Sequence, residues 1–235
     1  MKRFAFVPAA LVFVAAIAVQ AQQAPPAGQA PPPTAGAAQP QRAPQPPLGP
    51  NQWRIDASHS GANFSVRHNV VSTVRGQLGR ISGTIEYDGK DVKTVQADVA
   101  IDMAGINTQN EGRDKHLRSA DFFDVANHPT LTFKSKRVEA VSEGRFKLVG
   151  DLTIRGNTKE VTLDVEGPSP IVTAKRGDRT SVLTGATATT KISRKEFGVL
   201  WNNMIELMPV VGDEVTVTID LELTRPAMPG TTSGN

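Results

Sequence analysis

Residues 144–167 read GRFKLVGDLTIRGNTKEVTLDVEG, and this stretch decides the fold. Two alternating runs flank Gly156-Asn157. That dipeptide suits a two-residue turn, because glycine takes positive φ without a Cβ clash. A turn there pairs Arg155 with Thr158, Leu152 with Val161 and Leu148 with Val165, and it sets Gly150 opposite Leu163. The other face then pairs Thr153 with Glu160, Asp151 with Thr162 and Lys147 with Glu166. A one-residue slip would mix the two faces, so turn and pattern call for the same pairing. The product is an antiparallel ribbon with one wet and one dry face, and the dry face needs a shared interior.

Working outward, the same period recurs. Phe64, Val66 and His68 alternate with Ser65 and Arg67. Ile81, Gly83, Ile85 and Tyr87 share one side, and Val95, Ala97, Val99, Ile101 and Met103 form the next run. In residues 130–141 the apolar positions change from odd (Leu131, Phe133) to even (Val138), which predicts a β-bulge near Lys136. Residues 180–191 are strand-like, but both faces are small and polar, so neither is marked as inward. Val215, Val217, Ile219, Leu221 and Leu223 alternate with Thr216, Thr218, Asp220 and Glu222. Residues 70–76 break the pattern and read as a short helical corner. Residues 112–118 read as a short helix after the cap-like Asn107–Glu111 run.

About eight strands with turn signals between them mean an all-β sandwich or barrel. Hairpin-like connections and long strands favour the antiparallel eight-stranded barrel with one or two short helices, because closure removes exposed edges. The inward candidates are mostly slim, and aromatics are only 5% of the chain. Slim side chains predict a hollow that a long apolar guest completes; a sandwich whose aliphatic residues meet at the centre is the competing arrangement.

The flanks differ in composition. Residues 1–21 carry Lys2 and Arg3, an apolar run from 4 to 19 and the small residues around Ala21, the layout of a cleavable export signal. Residues 22–50 hold more than half of the 17 prolines and read as a disordered tether. One domain follows over 51–225, and 226–235 form a loose tail. The formal charge of +3 falls to +1 once Lys2 and Arg3 leave with the signal. No long basic run appears, which argues against nucleic acid. With no cysteine, the chain forms no disulfide and carries no lipid-modified cysteine. A periplasmic or secreted protein is expected.

Polar candidates are few. His68, on the face of Phe64 and Val66, either meets a ligand head group or is satisfied by backbone at a barrel end. Arg113, Asp114 and His116 form the sharpest polar cluster, and Arg113 and His116 share a helix face. They either stand at the barrel mouth near a head group or tie a loop to the barrel. Metal binding is not supported: four histidines are scattered and no ligand pair has tight spacing.

The 51–225 body resembles the YceI-like family of exported polyisoprenoid-binding proteins. The motifs are Trp53-Arg54-Ile55-Asp56 with His59-Ser60, Phe64-Ser65-Val66-Arg67-His68, Arg113-Asp114-Lys115-His116-Leu117 running into Asp121-Phe122-Phe123-Asp124, Pro129 through Ser135, Gly150 through Gly156 with Lys159-Glu160-Val161, and Arg194-Lys195-Glu196-Phe197-Gly198. The resemblance implies a lipocalin-like barrel holding an isoprenoid chain, a quinone or polyprenyl compound, without other cofactor or metal. The tunnel wall is then expected to include Phe64, Val66, His68, Ile85, Val99, Ile101, Met103, Phe123, Phe133, Leu152, Ile154, Leu163, Val217 and Ile219. The family it resembles is often dimeric, which makes a homodimer an expectation; transient contact with a membrane or membrane protein is a separate expectation. The alternative function is an enzyme acting on a lipid or quinone head group through Arg113, Asp114 and His116, with His68 as a further candidate.

Overall fold

The computed structural model describes residues 47–202, 204–205 and 208–227. The expected signal at 1–21, most of the tether and the tail from 228 lie outside the described residues. In chain order the strands are β1 (Gln52–Ile55), β2 (Gly61–His68), β3 (Ser72–Gln77), β4 (Ile81–Glu86), β5 (Gln96–Asp102), β6 (Thr130–Ser142), β7 (Arg145–Ile154), β8 (Asn157–Glu166), β9 (Val172–Arg176), β10 (Arg179–Ser193), β11 (Met204–Ile205), β12 (Met208–Pro209) and β13 (Val211–Pro226). One α-helix, α1 (Glu111–Arg118), lies between β5 and β6, its N-terminus capped by Asn110 Oδ1, which accepts from Arg113 N.

The strands close into a barrel. Going round, β1, β4, β5, β6, β7, β8, β10 and β13 pair in turn, and β13 returns to β1. The seam is long: β10 and β13 pair without a break from Ser181↔Pro226 to Ser193↔Glu214. The other edge of β13 is shared, with β1 at Leu223 and Thr224 and with β2 from Val211 to Asp220. One wall strand is thus broken into β1 and β2, and its neighbour into β4 and β3. Every ladder is antiparallel, so each strand sends alternate residues inward.

The central hairpin corrects the expected register. Its loop is Arg155-Gly156, both at positive φ (51° and 74°), so Ile154 pairs with Asn157 and Leu148 with Leu163. A two-residue hairpin favours positive φ at both central positions, and Arg155 takes it because its guanidinium donates to Phe122 O (3.0 Å) and Gly198 O (3.1 Å). Moving the loop by one residue moves each pairing by two, so the dry face survives while the partners change. Gly150 faces Val161, and Leu152 faces Lys159. Gly150 marks a close approach: a Cβ there would lie 2.5 Å from Lys134 O.

The bulge expected near Lys136 is present, as the β6–β7 register shifts between Ser135 and Arg137. The helical corner at 70–76 is replaced by β3 and a tight turn with Asn69 and Val70 at φ 49° and 61°. The undecided strand β10 turns Ala186, Ala188, Thr190 and Ile192 inward.

Candidate functional site: an apolar barrel cavity

The barrel encloses a cavity of about 190 Å³. Residues of β2, β4, β5, β6, β7, β8, β10 and β13 all reach it. A dry apolar cavity of about 150 Å³ already admits benzene. Of the residues expected on the wall, Phe64 and Val66 reach it from β2, Ile85 from β4, Val99 and Ile101 from β5 and Phe133 from β6. Leu152, Ile154 and Leu163 reach it from the central hairpin, Val217 and Ile219 from β13, and Phe123 from the segment after α1. His68 and Met103 do not line it. Met103 opens a 3-10 turn after β5 and is packed away from solvent, 2% exposed. His68 ends β2, where the strand runs out into the Asn69-Val70 turn.

The wall is not built of slim residues alone. All six phenylalanines of the body line it: Phe64, Phe122, Phe123, Phe133, Phe146 and Phe197. Phe146 was legible, since it continues the inward series of Leu148 and Leu152. Aromatic content averaged over the chain hid this concentration.

The two ends differ. At one, Trp53 is fully buried and its Nε1 donates to Tyr87 O (2.9 Å). Tyr87 lines the cavity, and burial followed by the charges of Asp88 and Asp91 holds its phenol above the usual range. At the other end α1, the segment after it, and residues 194–202 close over the strands. His116 stands edge-on to Phe122 and Trp201, with ring centroids 5.0 and 4.9 Å away.

Arg194 was not identified from the sequence as a site residue. It lines the cavity at 6% exposure, and among the described residues no carboxylate bonds it. Its guanidinium donates to Val199 O (2.6 Å), Trp201 O (2.9 Å), Gly212 O (2.9 Å) and Val211 O (3.3 Å), four of its five N–H groups. Burial lowers its pKa, against the opposing charge of Asp213. The rim bonds of this one side chain thread residues 199–201 to the start of β13. Thr190, also on the wall, donates its hydroxyl to Thr162 O (2.8 Å).

The polar cluster of α1 does not converge on one point. Asp114, 8% exposed, accepts from Thr108 N (2.8 Å) and from the Thr108 hydroxyl. Arg113 donates to Thr108 Oγ1 (2.7 Å) and Thr108 O (2.8 Å). These two residues therefore tie α1 to the preceding loop. His116 turns elsewhere, its Nε2 2.9 Å from Asp121 Oδ2. Neither Arg113, Asp114 nor His116 lines the cavity.

Among the described residues one group of potential metal ligands comes together, Asp56, His59 and Glu222, on the outside of the barrel. His59 Nδ1 lies 3.2 Å from Asp56 Oδ2 and 3.4 Å from Glu222 Oε1. Bonds from the Ser58 hydroxyl and N–H hold the Asp56 carboxyl below its usual range, with His59 adding a smaller pull. This knot fastens the corner between β1 and β2 to β13.

A closed barrel with this hollow invites comparison with known proteins. The YceI-like domain model matches residues 53–223. The chain belongs to the YceI-like family. A UPF0312 protein of Staphylococcus aureus (strain USA300) is 38% identical over 154 residues, 66% of this chain and 85% of its own length. Among solved structures, the Campylobacter jejuni YCEI protein is 31% identical and superposes with a TM-score of 0.55, covering 67% of this chain and 87% of its own. A polyisoprenoid binding domain from Saccharophagus degradans shares the fold at 17% identity and a TM-score of 0.52, covering 74% and 98%. The YceI-like match spans the whole barrel from β1 to β13.

Proposed function

We propose that this YceI-like barrel is an exported carrier that takes a long apolar chain, an isoprenoid of the quinone or polyprenyl class, into its cavity. One observation carries the reading: strands from all round the barrel present apolar side chains to a hollow whose polar wall residues are Tyr87, Thr190 and Arg194, the last two already bonded. Water gains little there, since a buried water needs two to four polar partners. Wall atoms that face the hollow lack packing partners there, and an apolar guest supplies them. The Saccharophagus degradans relative is named for binding polyisoprenoid, which supports the same class of guest.

Size adds a condition. The hollow falls short of the roughly 300–1,000 Å³ of pockets that hold drug-sized ligands. A long chain therefore enters as wall phenylalanines turn aside or the end segments part. The test is organic extraction of the purified protein followed by mass spectrometry, with add-back of a long-chain quinone and of a fatty acid to stripped protein. Recovery of an isoprenoid, or preferential quinone uptake, is expected. Protein that is empty as purified and takes up neither compound would overturn the proposal.

A further inference from the structure

We infer that the β2–β3 hairpin is a docking tip for an anionic lipid surface. The inference rests on the carrier reading for its purpose, but its evidence is separate. The tip is Asn69-Val70-Val71, with Val70 54% and Val71 79% exposed. Val70 sits at φ 61°, a conformation that β-branched residues rarely adopt. Folding alone would favour glycine or asparagine at that position and a polar residue at the next. The chain instead presents two valines to solvent.

Along the hairpin itself charge has one sign, while the adjoining start of β13 carries Asp213 and Glu214, which are engaged by Ser193 and Lys191. Between Asp56 and Glu86 there is no acidic residue, while Arg67, Arg75 and Arg80 are present. Arg67 and Arg75 are exposed and alternate on one face of the hairpin, where Arg67 pairs with Thr73 and Ser65 with Arg75. The Arg67 guanidinium donates to Thr73 Oγ1 (3.0 Å) and to Val70 O, which braces the tip. Leu200, 65% exposed, lies at the same end. Arg194 joins the carbonyls on either side of it to Val211 and Gly212, and Asn69 N donates to Val210 O.

The tip is also next to the cavity. Val66 and Val211 line the hollow, and Val211 pairs with His68 at the foot of the turn. Three apolar side chains are too little for a stable protein interface, which buries about 1,200 Å² or more. They suit shallow, reversible insertion among head groups, helped by cations that attract anionic lipid. The β9–β10 hairpin at the far end differs: its turn is Arg176-Gly177-Asp178-Arg179, polar and of mixed charge.

The test is sedimentation of the purified protein with phosphatidylcholine vesicles, with and without phosphatidylglycerol. Binding is expected on the phosphatidylglycerol vesicles, and it should weaken with salt. Val70→Asn with Val71→Ser keeps the fold, since asparagine accepts positive φ, and should lower partitioning at least tenfold. Arg75→Gln should lower it about fivefold on anionic vesicles alone. Lys175→Gln with Arg176→Gln, on the other hairpin, should leave it unchanged. Tip variants that sediment like the original chain would overturn the inference. So would light scattering that shows the valine pair holding two copies together while vesicle binding persists. Extraction separates the two proposals: a bound isoprenoid with unaltered tip variants sinks docking alone, whereas tip-dependent binding by an empty barrel sinks the carrier alone.

Discussion

Val99→Phe tests the cavity most directly. Val99 points inward from β5, with Gly83 beside it on β4 and Phe133 on β6. A Cβ at Gly83 would lie 2.2 Å from Asp98 O, so β4 and β5 approach closely there and the room for a larger group at Val99 is the hollow itself. Phenylalanine adds four carbons, worth about 3 kcal/mol if all are buried at roughly 0.8 kcal/mol each. Crowding returns about 1–3 kcal/mol of that. Stripped Val99→Phe protein is therefore expected to be as stable as stripped parent or up to about 2 kcal/mol more so. In a domain of this size that shifts Tm by about 2–4 °C per kcal/mol. The loaded state should move the other way, because the ring occupies the guest's space and the linkage gain from binding shrinks. Calorimetry on extracted and quinone-reloaded samples measures both, and ligand per mole of protein gives occupancy. Ile219→Trp repeats the experiment from β13 across the hydrogen-bonded seam. Unchanged ligand content in both variants, with unchanged melting of the loaded forms, would refute the reasoning.

Arg194→Met leaves the carbonyls of Val199, Trp201 and Gly212 without this donor, one of them in a fully buried bond, while Val211 O keeps Asn202 Nδ2; the change is expected to cost about 2–4 kcal/mol in urea denaturation, with Arg194→Lys recovering part, and a loss under about 1 kcal/mol would show the rim does not depend on it. The Asp56 carboxyl is held below its ordinary range by Ser58, so its ionised form favours the fold. That contribution is present above the unfolded value and disappears as pH falls through the lower folded one. Ser58→Ala should therefore be less stable than the parent at neutral pH, with the difference closing under acid; a gap independent of pH would reject the assignment. Thr108→Val removes the hydroxyl shared by Asp114 and Arg113 and is expected to cost about 1.5–3 kcal/mol, with faster amide exchange in α1. Unchanged α1 exchange would mean that the helix is held by its packing instead.

The regular wall was legible because period two carries physical meaning. A strand with one dry face cannot slip by one residue without exposing its core, so faces are robust to small errors. The hairpin shows this: its turn was placed one residue late, yet Leu148, Leu152 and Leu163 all face the hollow. The bulge at Lys136 was legible for the same reason, as a change of parity. Ends follow no period. Nothing in Asn69-Val70 announces two consecutive positive φ angles, and the β-branched residue argued against a turn there. Alternation also measures no volume. Phe146 shares the parity of Leu148 and Leu152, but parity does not show that six rings share one interior. Arg194 left no local signal, because its partners are carbonyls 5 to 18 residues away.

That last point separates the two parts of the barrel by their chemistry. Along the wall, backbone groups find partners in neighbouring strands, and side chains are left to set the volume and polarity of the hollow. At the α1 end the chain leaves the ladder, and its carbonyls need donors from elsewhere. Arginines supply them: Arg155 to Phe122 and Gly198, Arg118 to Ile106, Arg113 to Thr108, and Arg194 to its four. None of these four guanidinium groups bonds a carboxylate among the described residues. Each closes a loop through carbonyls, at the end that also carries Arg67 and Arg75 beside the exposed valines. Wall and end substitutions should therefore fail differently. Changes such as Val99→Phe alter what the barrel holds before they alter whether it folds. Changes such as Arg194→Met release the closing segment first, and occupancy falls because the hollow opens to water.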